Sequence, residues 1–417
     1  MATICISLGS HLCQSPRAVW EASALAAAGH NVLVVGPILS EQHASEDEGL
    51  LKTVDWRYRP AFDLRPGKSS RASCFSLRVA RRLGAAMVGT TGIQLADSLS
   101  YGVRQTLRLV ESLSWDLHIG HQEVGCWTSF TLGRRGRRVA ADFEDWYSRD
   151  LLPEAQRSRP LRLLREVEHW LLHSASYVST TSQAMALAMH AASGGRVPEV
   201  VYNVFPWEDR QSLDKLTMDR VDKSKPSLHW VSKVIGPGRG LELLLDALKS
   251  VATPVEVHLR GAHSQQTAAE LRGRFPAIHG HQLFLHGPCP AKQLLSRIAE
   301  HDIGLALELN QPASRDLTVT YKFFHYLVAG LAVVATNTAG QMEIAASIPD
   351  AVLLADQNDP HDLGAKISEL VNSKQRLVAA KAAALAGAES RFCWERQATL
   401  VVESVERVLR ANLNTPR

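Results

Sequence analysis

The stretch from Asp316 to Glu343 most narrows what this chain can fold into. Phe323, Phe324, Leu327 and Val328 recur at helical spacing, which predicts a helix from Tyr321 to Ala329 stopped by Gly330. An unbroken apolar run follows at once, predicting a strand over Leu331–Thr336 that is covered on both faces. Such a strand needs helices above and below it, so the unit belongs in a mostly parallel α/β sheet. The polar segments on either side, the second being Asn337 to Gln341 with Glu343, read as loops. A loop that leaves a strand's carboxyl end for a helix amino terminus is where these sheets hold phosphate-bearing ligands, although a plain helix–strand step gives the same pattern.

The same rhythm runs through the rest of the chain. Strands over Leu228–Val231, Val255–Leu259, Leu283–His286 and Ile303–Leu307 alternate with helices over Leu241–Ser250, Thr267–Gly273 and Ala291–Glu300. Regular alternation implies a parallel sheet with right-handed crossovers. The first half begins as a βαβ unit: strand Ile4–Leu8, helix Arg17–Ala28 stopped by Gly29, strand Asn31–Val35. Strands over Ser114–Gly120, Val139–Ala141 and Tyr177–Thr180, a helix over Leu161–Ser174, a Thr181-Ser182 cap and a short strand Val200–Asn203 complete it. Polar Pro206–Pro226 reads as a connector. At 417 residues the chain is long enough for two α/β domains, here 1–205 and 227–390 around a connector over 206–226. A terminal segment, 391–417, carries a helix over Trp394–Arg410, with fraying expected from Ala411.

Composition excludes several classes. A net charge of +4 is too small to argue nucleic-acid binding. No apolar run reaches the roughly 18–20 residues needed to cross a membrane, and no secretory leader is visible. Six cysteines without metal-type spacing read as small core residues in a reducing cytoplasm. Between Arg57 and Arg82 the chain carries eight basic residues against one acidic. That segment, broken by Pro60, Pro66 and Gly67, predicts a mobile basic loop and then a helix from Phe75 to Ala86. It is either a solvated surface or a contact for an anionic acceptor, such as a lipid-linked phosphate or a membrane.

Two segments carry chemistry. Ser232 to Gly240 places Lys233 and Arg239 on a glycine-rich turn (Gly236, Gly238, Gly240) after the second domain's first strand, well made to neutralise a diphosphate. Asp142, Glu144 and Asp145 crowd the end of the Val139–Ala141 strand; if they share a site, at least one carboxyl pKa is raised. The alternative is an acidic loop packed on Trp146. The Gly9–Pro16 loop lacks a full G-x-G-x-x-G fingerprint and reads as a substrate-side loop.

With these residues in place, the chain resembles the retaining glycosyltransferases of the GT-B fold, and within them the family-4-like set. The Ser232–Gly240 loop, Leu259-Arg260-Gly261, His286-Gly287 and Tyr321 to Tyr326 with Gly330 and Gly340 carry the resemblance. In the first half it rests on Ser15-Pro16-Arg17 and Ala28-Gly29-His30. It implies two Rossmann-like domains facing a cleft, a last helix crossing back onto the first, and sugar transfer from a nucleoside-diphosphate sugar to an acceptor hydroxyl. Lys233 and Arg239 match the family's diphosphate-binding positions; Glu144 stands where the family often has a histidine. Gly9, Ser232, Gly238, Gly240, Gly287, Thr320, Lys322, His325, Gly340 and Gln341 are the implied donor contacts. No metal or cofactor is expected, and the acceptor implied is a glycan or lipid-linked molecule of cell-envelope assembly. The chain departs from the family where two spaced glutamates are expected, with Leu317 and His325 in their places; Asp316 is a stand-in for the first. A nucleotide-sugar epimerase and a non-catalytic sugar-nucleotide-binding subunit are the alternative readings.

Overall fold

The structure, a computed structural model, describes residues 1–157, 159–276 and 278–411. Of the expected terminal fraying, everything past Ala411 lies outside the described residues. The chain divides into two compact units, one of Met1–Val201 completed by the chain from Ala398 onward, the other of Tyr202–Gln397.

The first unit is built on seven parallel strands: β1 Thr3–Ser7, β2 Asn31–Ile38, β3 Arg57–Asp63, β4 Leu117–His121, β5 Val139–Phe143, β6 Tyr177–Thr180 and β7 Glu199–Val200, in the order β3-β2-β1-β4-β5-β6-β7. The central strands are buried throughout, so their polar side chains must bond to one another. His118 on β4 does so, pairing Nε2 with Ser7 Oγ and Nδ1 with Ser129 Oγ at 2.9 Å each. Burial, followed by nearby cationic groups, pushes its pKa down to about 3 and leaves a neutral ring. The basic segment differs from expectation. Arg57–Asp63 forms the edge strand β3 instead of a mobile loop, and the helix after it spans Arg71–Thr91. Arg57 and Arg59 point to solvent from that edge, which hides the strand's pattern in the sequence. The helix Trp394–Arg410 reaches the first unit, where Val401 and Val405 are buried and Arg407 pairs with Glu199 at 2.8 Å.

The second unit has six parallel strands: β8 Ser227–Val234, β9 Glu256–Ala262, β10 Gln282–His286, β11 Ile303–Ala306, β12 Ala332–Thr336 and β13 Val352–Ala355, in the order β10-β9-β8-β11-β12-β13. The helix Tyr321–Ala329 has the predicted bounds. Leu228, Trp230, Leu244, Val257, Leu305, Val334, Leu363 and Ile367 form the core, each such aliphatic contributing about 1.5–3 kcal/mol over an exposed position. The polar stretch Pro206–Pro226, expected as a connector, is tied into this unit. Buried Arg220 pairs with Glu256 at 3.1 Å and Asp302 at 3.0 Å, Arg260 with Asp219, and Arg297 with Asp214 at 2.6 Å. All six cysteines are free, and Cys5, Cys126 and Cys393 are buried. Among the described residues no helix is long and apolar enough to cross a membrane.

Beside these ion pairs runs a row of buried histidines. His229 and His258 are register neighbours on β8 and β9, and His301 lies against both, with ring centroids 4.6 and 4.4 Å away. Burial pushes His258 to about 2 and His301 to about 4, outweighing the opposing pull of Asp219 on both, and holds His229 far down as well. In the unfolded chain each takes a proton near pH 6.5. Stability is therefore held above that pH and lost as pH falls below it towards the folded values. The thermal midpoint is expected to drop between about pH 7 and about pH 5, with a shallower slope in His301→Gln; an unchanged slope in that variant would remove the histidine row as the cause.

Candidate functional site

In the second unit the chain leaves β8 towards β9 and leaves β11 towards β12, so the carboxyl ends of these adjacent strands open a crevice between them. Ser232 and Lys233, expected in a loop, are among the last residues of β8, which runs to Val234. The turn after them uses Gly238 at φ 69° and Gly240 at φ 78°. A Cβ on Gly240 would lie 2.3 Å from the Leu307 carbonyl oxygen, so only glycine lets the turn press against the exit of β11. Arg239 is folded back, its Nη1 donating to Ser232 Oγ at 3.0 Å. Among the described residues neither Lys233 nor Arg239 has a carboxylate partner, and Lys233 is exposed.

Across the crevice, just past the end of β11, lies Glu308, which the sequence reading missed. It is buried and accepts hydrogen bonds from Lys322 Nζ at 2.5 Å and Thr320 Oγ1 at 3.1 Å, with Arg315 4.0 Å away. Burial would raise its pKa, but the Lys322 ammonium outweighs that and holds it below the ordinary range. Thr320 and Lys322 are thus both turned onto this carboxylate, and the ammonium also sits 5.2 Å from the Trp230 ring centroid. The signal available was an acidic residue directly after the apolar run Ile303–Leu307.

His325 stacks on Phe205, ring centroids 3.5 Å apart, and meets the edge of Tyr321. Burial pushes its pKa to about 3, so it is a neutral ring without the charge of a glutamate. Asp316 accepts from the Ala339 N–H at 3.3 Å and so caps the next helix. That helix, Ala339–Ser347, corrects the expected loop: Gly340 and Gln341 lie in its first turn. The Cβ direction of Gly340 is filled by the Leu317 carbonyl at 2.5 Å, and Gln341 is buried, donating to the Thr336 carbonyl at 3.0 Å. Gly287 follows the edge strand β10, with its carbonyl held by Arg260 at 2.9 Å.

The first unit has its own crevice, between β1 and β4. Gln122, at φ 59°, accepts from the Gly9 N–H at 3.0 Å and donates to Ser10 and Ser15 at 2.9 Å each, closing the Gly9–Ser15 loop. Below it, Arg17 grips both oxygens of Asp142 at 2.5 and 2.7 Å and donates to the Val201 carbonyl. His121, at the end of β4, reaches Glu21 at 2.8 Å through Nε2, and Glu144 at 3.3 Å and Asp142 at 3.4 Å through Nδ1. Burial disfavours charge on this ring, yet the three carboxylates, Glu21 foremost, raise its pKa to about 10 and make it an imidazolium. Of the crowded carboxyls, Asp142 is not one that is raised: burial would raise it, but Arg17 brings it down to about 2. Trp146, next along the chain, is buried and its Nε1 donates to Glu168 at 3.2 Å. Of the carboxylates in this network, Glu144 is the one part-exposed group.

Ligand atoms of His121, Asp142 and Glu144 lie within 4.8 Å of one another, the one such metal-capable group among the described residues. Their chemistry fits a cation poorly, because Arg17 occupies both Asp142 oxygens and the imidazolium proton fills the remaining demand for positive charge.

No protein-family model matches the sequence, and no curated protein is detectably similar to it. Solved structures are similar over nearly the whole chain. HepE of Anabaena in complex with UDP-glucose matches with a TM-score of 0.67 at 18% identity, covering 98% of this chain and 100% of that one. Sucrose-phosphate synthase of Thermosynechococcus elongatus gives 0.65 at 15% identity, covering 99% and 100%. Trehalose-6-phosphate synthase, studied for glycosyl transfer with retention, gives 0.67 at 11%, covering 97% and 99%. The chain has the GT-B fold of two Rossmann-like α/β domains.

Arg17→Leu takes the guanidinium from both oxygens of buried Asp142, and is expected to lower the unfolding free energy by about 3–5 kcal/mol in denaturant titration. A loss below about 1 kcal/mol would mean the pair is not what holds β5 against the first helix.

Proposed function

We propose that the protein is a glycosyltransferase that moves a sugar from a nucleoside-diphosphate sugar to an acceptor hydroxyl. The observation that carries this reading is the pair of uncommitted cations, Lys233 and Arg239, on a glycine-rich turn beside the crevice between β8 and β11. In such a transfer, negative charge grows on the diphosphate as the glycosidic bond breaks. Fixed cations and backbone N–H groups facing that charge lower the barrier. Two cations supply this without a metal. Their neighbours have set jobs: Gly240 seats the turn, Ser232 orients Arg239, and Glu308 with Thr320 and Lys322 makes a neutralised wall. Because HepE was solved with UDP-glucose, a UDP-sugar is the first donor to test. Retention of anomeric configuration is part of the proposal, supported by the fold shared with trehalose-6-phosphate synthase.

Glu144 takes the acceptor side in this reading. Part-exposed and hydrogen-bonded to His121, its carboxylate is placed to accept a hydrogen bond from a sugar hydroxyl. The acceptor class we favour is a glycan or lipid-linked molecule of envelope assembly, handled on the cytoplasmic side. One observation favours a second reading, a sugar-nucleotide-binding subunit without turnover: His325 is neutral and stacked on Phe205 where the resembling family holds the ribose with a carboxylate.

Calorimetry with UDP-, GDP- and ADP-sugars is expected to show binding of at least one donor; no binding by any of them sinks both readings. Binding without turnover across acceptors favours the second. Lys233→Ala and Arg239→Ala should each lower kcat/KM by about 10²-fold or more while leaving the thermal midpoint in place. Glu144→Gln is expected to depress turnover with little loss of stability; a lowered midpoint at full turnover would make it structural.

A further inference from the structure

The helix Arg71–Thr91 is 21 residues long, yet only Leu77 and Gly84 are fully buried. Gly84 explains how it docks. A Cβ there would come within 2.8 Å of the Ser98 nitrogen and 2.9 Å of the Asp97 carbonyl carbon, so the helix lies directly on that turn. At about 100° per residue, Ala72, Phe75, Val79, Leu83 and Ala86 fall on the opposite side, in one stripe about 80° wide. Phe75 is 69% exposed and Leu83 58% exposed. Arg71, Arg78 and Arg82 follow along one flank of the stripe, and no acidic residue occurs between Leu64 and Ala96. At the helix start, Leu64, Arg65, Gly67, Arg71, Phe75 and Arg78 line a groove of about 610 Å³.

We propose that this outward face is a docking surface for an anionic lipid bilayer, with Phe75 and Leu83 entering the headgroup boundary and the arginines meeting lipid phosphates. The proposal stands apart from the transferase reading. Charge and composition select the occupant. A second copy would bring like-charged arginines together, and a soluble polyanion gives Phe75 and Leu83 nothing to bury against. A helix with a large aromatic or aliphatic stripe beside a row of cations matches the interfacial pattern, in which apolar insertion and attraction to anionic lipid add. Neither contribution suffices for stable anchoring alone, so the binding should be reversible and salt-sensitive.

The test is co-sedimentation of the full chain with vesicles of phosphatidylcholine alone and of phosphatidylcholine mixed with phosphatidylglycerol. The protein is expected to sediment with the mixed vesicles and to be released by salt. Arg78→Ser with Arg82→Ser should weaken that binding about 30-fold, and Phe75→Ser with Leu83→Ser about tenfold or more. All four residues are solvent-facing, so thermal midpoints should be unchanged. Sedimentation with neither vesicle type, equal sedimentation with both, or undiminished binding by the variants would overturn the proposal. So would a concentration-dependent dimer abolished by Phe75→Ser, which would give this face to a second copy.

Discussion

Both units depend on the same constraint: in a parallel sheet covered on both faces a buried polar side chain costs free energy unless it is bonded or kept uncharged. His118 illustrates it, held on β4 by two hydroxyls and kept neutral. Chemistry is driven to the carboxyl ends of the strands, where the backbone turns outward. The points at which strand order reverses, β1 with β4 and β8 with β11, gather the candidate site residues because nowhere else in these sheets are neighbouring exits splayed apart.

The two crevices settle their charges differently. In the first unit a guanidinium and an imidazolium stand against three carboxylates, leaving Glu144 as the group that reaches solvent. In the second, Lys322 is spent on Glu308 and the net positive charge is left to Lys233 and Arg239. A slightly anionic first crevice suits a neutral hydroxylic acceptor, whereas the cationic edge of the second suits a diphosphate.

Much of this was legible from periodicity. The helices Leu161–Ser174, Tyr321–Ala329 and Trp394–Arg410 and the strand Tyr177–Thr180 have the bounds that the sequence predicts. Each has an apolar pattern that its burial requires. Where the pattern failed, a physical reason is visible. The strand β3 lies at an edge and wears arginines outward. Helix Ala339–Ser347 carries Gly340 in its first turn because the Leu317 carbonyl fills the space a side chain would need, and a glycine among polar residues reads as a loop. His121 was out of reach for another reason. Its partner Glu21 lies 100 residues away in the chain, and only the sheet brings the two together.

The division of the chain also orders its biogenesis. The second unit, Tyr202–Gln397, is an insertion within the first, whose closing helix segment begins only at Ala398. A ribosome therefore delivers the first unit's sheet before the second unit and its closing helix segment only after the whole second unit has emerged. Until then Glu199 lacks Arg407 and the apolar surface beneath Val401 and Val405 is open to water. While the whole second unit is being made, the nascent first unit keeps an uncovered hydrophobic flank that is open to chaperone capture or aggregation.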